Sequence, residues 1–127
     1  MRKLTTMLGA VAISMSFAQS AMAEKLTIYH WFEYIPQELL NKFTAETGIE
    51  VVMDTYDSTE ALLANLKATG MGNYDVAVPG DYMVNIMRDE GMLDTFTPSE
   101  LSNFSNIQDQ WLNVSFDMGR QNSVPYQ

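Results

Sequence analysis

Cysteine is absent from this 127-residue chain, histidine occurs once, and basic residues number seven against sixteen acidic ones. Without cysteine there is no disulfide framework and no cysteine-linked lipid anchor, so the folded state rests on burial alone. Covalent catalysis finds little to work with. No Gly-x-Ser-x-Gly elbow exists, and Ser58 carries no sign of an activated nucleophile. No glycine loop suited to cradling phosphate precedes a helix, Gly80 alone being a weak signal. The single histidine, His30, ends an apolar run, where a structural role outweighs metal ligation. No metal or cofactor is expected.

What is present begins with a targeting pattern. Met1-Arg2-Lys3 is a positive start, Leu8 to Phe17 is apolar and uncharged, and Ala21-Met22-Ala23 has the small-x-small form of a cleavage site. The apolar run is too short to span a bilayer. Residues 1–23 are therefore expected to be a signal peptide cleaved after Ala23, leaving a secreted chain that starts at Glu24. All sixteen acids lie beyond Ala23, with only five of the basic residues, a formal charge of −11. That sign repels nucleic acid and attracts cations. The remaining 104 residues suffice for one small domain. The run Asn122 to Gln127 reads as the entry to a strand, so the chain is expected to be a fragment.

The pattern along residues 24–127 alternates strand and helix. Lys25 to His30 reads as strand one, Ile49 to Met53 as strand two and Tyr74 to Val78 as strand three. Leu39, Leu40 and Phe43 mark a helix after Pro36 that stops at Gly48. Asp57 and Glu60 have capping-box spacing ahead of Leu62, Leu63 and Leu66. Asp81 can cap a third helix carrying Met83, Ile86 and Met87. Thr97 to Glu100 suggests a short helix ending near Asn103, and periodicity then fades, with Trp111 and Phe116 as core anchors. The order β-α-β-α-β predicts an α/β fold with a parallel sheet flanked by helices. Only strand three is near-continuously apolar; the alternation of strand one suggests a place nearer an edge.

In such a sheet, ligands meet the loops after the strands. Trp31-Phe32-Glu33-Tyr34 follows strand one, Thr55 to Ser58 follows strand two and Gly80-Asp81-Tyr82 follows strand three. Trp31, Tyr34 and Tyr82 supply aromatic faces; Glu33 and Asp81 supply carboxylates in segments lacking Lys and Arg. Taken alone, packing of the strand ends would explain such aromatics more readily. A cation completing the acids favours a binding site, since ammonium groups bond carboxylates while methylenes lie on rings.

These segments resemble the bacterial periplasmic polyamine-binding proteins, the substrate-binding subunits of spermidine/putrescine ABC transporters. The likeness runs through Ile28 to Pro36, Phe43 to Val51, Thr55 to Ser58, Tyr74 to Pro79, Met87 to Met92, Leu101 to Asn106 and Ser123 to Tyr126. The strand followed by Trp-x-acid-Tyr is its most specific element. The resemblance implies a type II-like periplasmic-binding-protein fold with two lobes, the second largely missing from this fragment. It implies that Trp31 and Tyr34 stack on a polyamine, that Glu33 meets an ammonium and that Tyr82 lines the site. Asp81 is carried over only as an additional acid, because helix capping explains it too. Two positions depart from the family: Phe32 stands where a small hydroxyl residue is usual, and Gly80 where serine is common.

The expected function is thus a non-enzymatic, monomeric polyamine-binding component that closes on spermidine or putrescine and delivers it to a membrane permease. Three alternatives remain open from the sequence. One is a binding protein for another small cationic or polar solute, one an exported hydrolase using Glu33 and Asp81, and one a sensory or adhesion module.

Overall fold

Three parallel strands in the order β2-β1-β3 form the scaffold: β1 Lys25–Trp31, β2 Glu50–Tyr56 and β3 Val76–Ala77. The structure, a computed structural model, describes residues 24–126. The expected signal peptide and its cleavage after Ala23 lie outside the described residues. The strands are joined by α1 Gln37–Thr47 and α2 Thr59–Thr69, and α3 Asp81–Asp89 follows β3. No helix among the described residues is long and apolar enough to cross a membrane.

Register explains why the rim matters. β1 pairs with β2 from Lys25 opposite Glu50 to Trp31 opposite Tyr56, so the two strands end side by side on aromatic residues. β3 pairs over Ile28–Val76 and Tyr29–Ala77. Its extended flanks continue the contact, with Asp75 N donating to Thr27 O at 2.9 Å and Val78 N to Tyr29 O at 3.0 Å.

Helix ends follow local chemistry. Gly48 takes a left-handed φ of 76° and donates its N–H to Thr44 O at 2.8 Å, closing α1. Ser58, not Asp57, caps α2; its hydroxyl accepts from Ala61 N at 3.1 Å. From α2, Leu62 and Leu66 enter the core four residues apart, and from α3 Met83 and Met87 do the same. They close over Tyr29 and Tyr56.

Three sequence expectations are corrected. Strand one is central rather than near an edge. Tyr29 and His30 are both buried, and consecutive strand residues face opposite sides, so both faces of β1 are covered. Its alternation arose because Tyr29 is an amphipathic side chain whose hydroxyl finds a partner inside. Thr97–Glu100 opens only a single 3-10 turn, Pro98–Glu100, with a second at Phe104–Asn106. Trp111 is half exposed rather than a core anchor, because it stands beside the short hairpin β4 Asn113–Val114 and β5 Asp117–Met118, away from the sheet core.

Candidate functional site

The carboxyl ends of the strands open onto a groove of about 1410 Å³. Trp31 and Tyr34 from the loop after β1, Asp81 at the start of α3, and Trp111, Phe116 and Tyr126 from the later chain all line it. Three of the five residues singled out from sequence, Trp31, Tyr34 and Asp81, therefore meet at one groove. Glu33 and Tyr82 are not among its walls. Glu33 is exposed in the same loop, and Tyr82 is half exposed beside it in the chain from Asp81.

An interior stack of aromatics holds Trp31 in place. Its ring lies 4.7 Å from that of Tyr56, which meets Tyr29 edge-on at 5.1 Å; Tyr29 stacks on Tyr74 at 4.4 Å with planes 7° apart. Every hydroxyl in the stack has a partner. Tyr56 donates to Val78 O, Asn65 Nδ2 donates to Tyr29 at 3.1 Å, and Tyr74 donates to Asp54 Oδ2 at 2.7 Å. Burial, followed by the neighbouring Tyr29 and Tyr82, pushes the Tyr56 phenol well above its ordinary range. Tyr74 is raised as well, chiefly by its bond to Asp54. Both stay neutral donors at any ordinary pH. The bond from Tyr56 to Val78 O also ties the β2 end to the loop that leads into Asp81.

The two rim carboxylates have different settings. Glu33 sits at φ 59°, a left-handed conformation that costs a non-glycine residue about 1–2 kcal/mol. Strain of this kind gathers in ligand-contacting loops. Asp81 does not cap α3; Gly80 occupies the cap position, and Asp81 Oδ1 accepts instead from Tyr82 N at 2.7 Å. The extended backbone of Gly80 places Asp81 already inside the first turn, one residue too late to cap. Neither acid is in a salt bridge among the described residues, where the ion pairs are Lys42–Glu46, Lys67–Glu90 and Arg88–Asp89. Nor do the described residues gather three or more side chains able to hold a metal ion.

His30 is 1 % exposed on the opposite face of β1 from Tyr29. Its Nδ1 accepts from Trp31 N at 2.6 Å, and its ring meets Tyr126 edge-on at 5.1 Å and Tyr34 at 5.7 Å. Burial lowers its pKa, so the ring is neutral near pH 7. It serves as backing for two groove aromatics.

Sequence reasoning missed Asp117 and Arg120, both buried. The Asp117 carboxylate accepts from Gln121 N at 3.1 Å, Asn122 N at 3.2 Å and Ser123 Oγ at 2.7 Å. Arg120 Nε donates to Trp111 O at 2.6 Å and Nη1 to Ser123 Oγ at 3.1 Å, with the guanidinium 5.0 Å from the centre of the Phe116 ring. Burial lowers the Arg120 pKa, opposed by Asp117, but a guanidinium remains charged throughout. Together they shape the segment leading to Tyr126. The one available signal was Asp-x-Gly-Arg itself, a turn holding one of only five basic residues beyond Ala23.

No family model matches the chain. Individual proteins do. It is 45% identical over 118 residues to the spermidine/putrescine-binding periplasmic protein of Salmonella typhimurium, covering 93% of this chain and 34% of that protein. It is 40% identical over 124 residues to a putrescine-binding periplasmic protein of Pseudomonas aeruginosa, covering 95% and 32%. Among solved structures, a spermidine/putrescine ABC transporter substrate-binding protein from Streptococcus pneumoniae superposes with a TM-score of 0.76 at 46% identity, over 81% of this chain and 32% of that one. The chain thus spans about a third of the length of the relatives it matches. The parallel α/β sheet expected from sequence is the architecture of part of a periplasmic-binding-protein lobe.

Proposed function

We propose that this chain, similar over nearly its whole length to the periplasmic spermidine/putrescine-binding proteins, forms part of the ligand-binding lobe of a polyamine importer's periplasmic component. The observation that carries the proposal is the convergence of Trp31, Tyr34 and Asp81 on one groove, with Glu33 in the same loop and neither acid paired to a base among the described residues. Arg120 is the groove's basic residue, and it is committed to Trp111 O and Ser123. A linear amine fits this inventory. Its ammonium ends bond carboxylates, and its methylenes lie along aromatic faces.

The two-lobed fold that the resemblance implies supplies the working cycle. A second lobe, supplied by chain beyond this segment, closes over the ligand and desolvates the ion pairs. The closed form then presents a surface to a membrane permease. Export by residues 1–23 to the periplasm, action as a monomer without catalysis and no contact with nucleic acid belong to the same proposal. The excess of acid beyond Ala23 supports it by drawing cations to the rim.

Glu33→Gln tests the proposal, because it keeps shape and removes charge. In the two-lobed protein, calorimetry should show spermidine and putrescine binding weakened by roughly 1.5–3 kcal/mol, the scale of a charge-assisted hydrogen bond. The thermal midpoint without ligand should barely move. A variant that unfolds easily yet binds normally when folded would make Glu33 structural and remove one of the two carboxylates of the proposed site.

A further inference from the structure

β1 and β3 exchange bonds in the alternation of a parallel pair, which runs as far as Val78 N donating to Tyr29 O at 3.0 Å. The next rung would set Trp31 N on Val78 O. That carbonyl takes the Tyr56 hydroxyl instead, and Trp31 N donates to His30 Nδ1 at 2.6 Å. The backbone of a groove residue is thus held by the side chain before it rather than by β3. The buried His30 ring also meets two further groove residues, Tyr126 edge-on at 5.1 Å and Tyr34 at 5.7 Å.

This arrangement fits one protonation state. Because Nδ1 accepts, the neutral ring carries its proton on Nε2, and Nε2 is the one buried side-chain polar atom without a partner among the described residues. An imidazolium would set a second proton on Nδ1 against the Trp31 N–H, while Nε2 still lacked an acceptor. The titratable groups that face the ring are the Tyr34 and Tyr126 phenols, and its neighbour on β2 is the uncharged Thr55. Burial alone lowers its pKa, with no carboxylate or base contributing. The folded chain therefore takes up this proton less readily than the unfolded chain. The stability that the neutral ring gives is complete above about pH 6.5 and is lost as pH falls below it.

We propose that His30 is a positioning residue for the polyamine site, holding the Trp31 backbone and the Tyr34 and Tyr126 rings in place only while it is neutral, so that mild acid loosens the grip on the ligand. The inference rests on the polyamine reading of the rim. Charging the ring acts against an amine in two ways. The acceptor for Trp31 N is lost, which frees the end of β1. A cation also arises directly behind Tyr34, whose face the ammonium would share.

The test uses the two-lobed protein and His30→Asn, whose Oδ1 can accept from Trp31 N in place of Nδ1 but does not titrate. Without ligand, nitrogen NMR should show His30 as the Nε2–H form near pH 7.5, and the Trp31 amide should move with the His30 titration as pH is lowered to about 5. Resonances missing from His30→Asn assign the histidine. With ligand, calorimetry over the same range should show putrescine affinity falling roughly fivefold in wild type, the worth of one neutral hydrogen bond, with the midpoint of His30. Putrescine itself stays charged throughout, and His30→Asn should be nearly flat. No His30 titration in this range, or a Trp31 amide that ignores it, would overturn the positioning role, whatever the protein binds. Equal falls in wild type and variant, or a wild-type midpoint that differs from that of His30, would overturn the pH dependence. The comparison of midpoints needs wild type alone, so it decides even where His30→Asn fails to fold. Wild-type protein that binds neither spermidine nor putrescine would overturn the polyamine reading, while the ligand-free NMR would still report whether His30 holds Trp31.

Discussion

Two sets of aromatic residues lie within a few residues of one another and serve opposite ends. The interior set, buried Tyr29 and Tyr56 with the partly buried Tyr74 packed against them, is stacked ring on ring, with each hydroxyl bonded to Asn65, Val78 O or Asp54. The rim set, Trp31, Tyr34 and Tyr82, stands partly in solvent, and the Trp31 and Tyr34 faces turn to the groove. The interior set has exhausted its bonding; of the rim set, only Tyr82 has a side-chain bond among the described residues, from its hydroxyl to Glu60 Oε1 at 2.7 Å. A side chain whose polar atom is satisfied inside stabilises the fold, whereas an aromatic face left open at a strand end is held ready for a ligand. Trp31 joins the two, resting one side on Tyr56 and lining the groove with another.

The comparison breaks most visibly at Tyr56. Tyr56→Ala removes the buried ring on which Trp31 leans and the donor to Val78 O, and should destabilise the chain by roughly 3–5 kcal/mol, as buried aromatic truncations do. Chemical denaturation should show it as a large fall in midpoint. A small fall would mean that the stack is not the support of the rim. At the rim the effect should move from folding to binding. Trp31→Ala should weaken polyamine binding by roughly 0.5–2 kcal/mol beyond any loss of fold, the range for a cation on an aromatic face. Affinity unchanged once the folded fraction is accounted for would make Trp31 another interior residue.

Much of this is legible in the sequence. The β-α-β-α-β order, the parallel sheet and the rim position of Trp31 and Asp81 follow from apolar runs, capping residues and the switch of period from two to 3.6. Strand order did not follow. The hydropathy of Thr27, Tyr29 and His30 suggests a half-wet strand, but their polar atoms do not prevent Tyr29 and His30 from being buried in the sheet's centre. The later chain was illegible for another reason. Asp117 and Arg120 organise it through bonds to backbone groups and a serine a few residues away, which leave no hydrophobic period. Tyr82 shows the remaining gap. Its rim position could be read from sequence, but its docking on Glu60 depends on the contact of α2 with the start of α3 over a bare Gly80.

The central claim is that the rim reads charge at both ends of an apolar chain, and one titration addresses it directly. Isotope-labelled chain should be followed by NMR at the Trp31 indole and the Tyr34 ring while putrescine is added, then a diol of matched length, at constant ionic strength. The account predicts saturable shifts at Trp31 and Tyr34 with the diamine and none with the diol. Equal responses to the two, or diamine shifts spread over the acidic surface that leave Trp31 and Tyr34 unmoved, would contradict it.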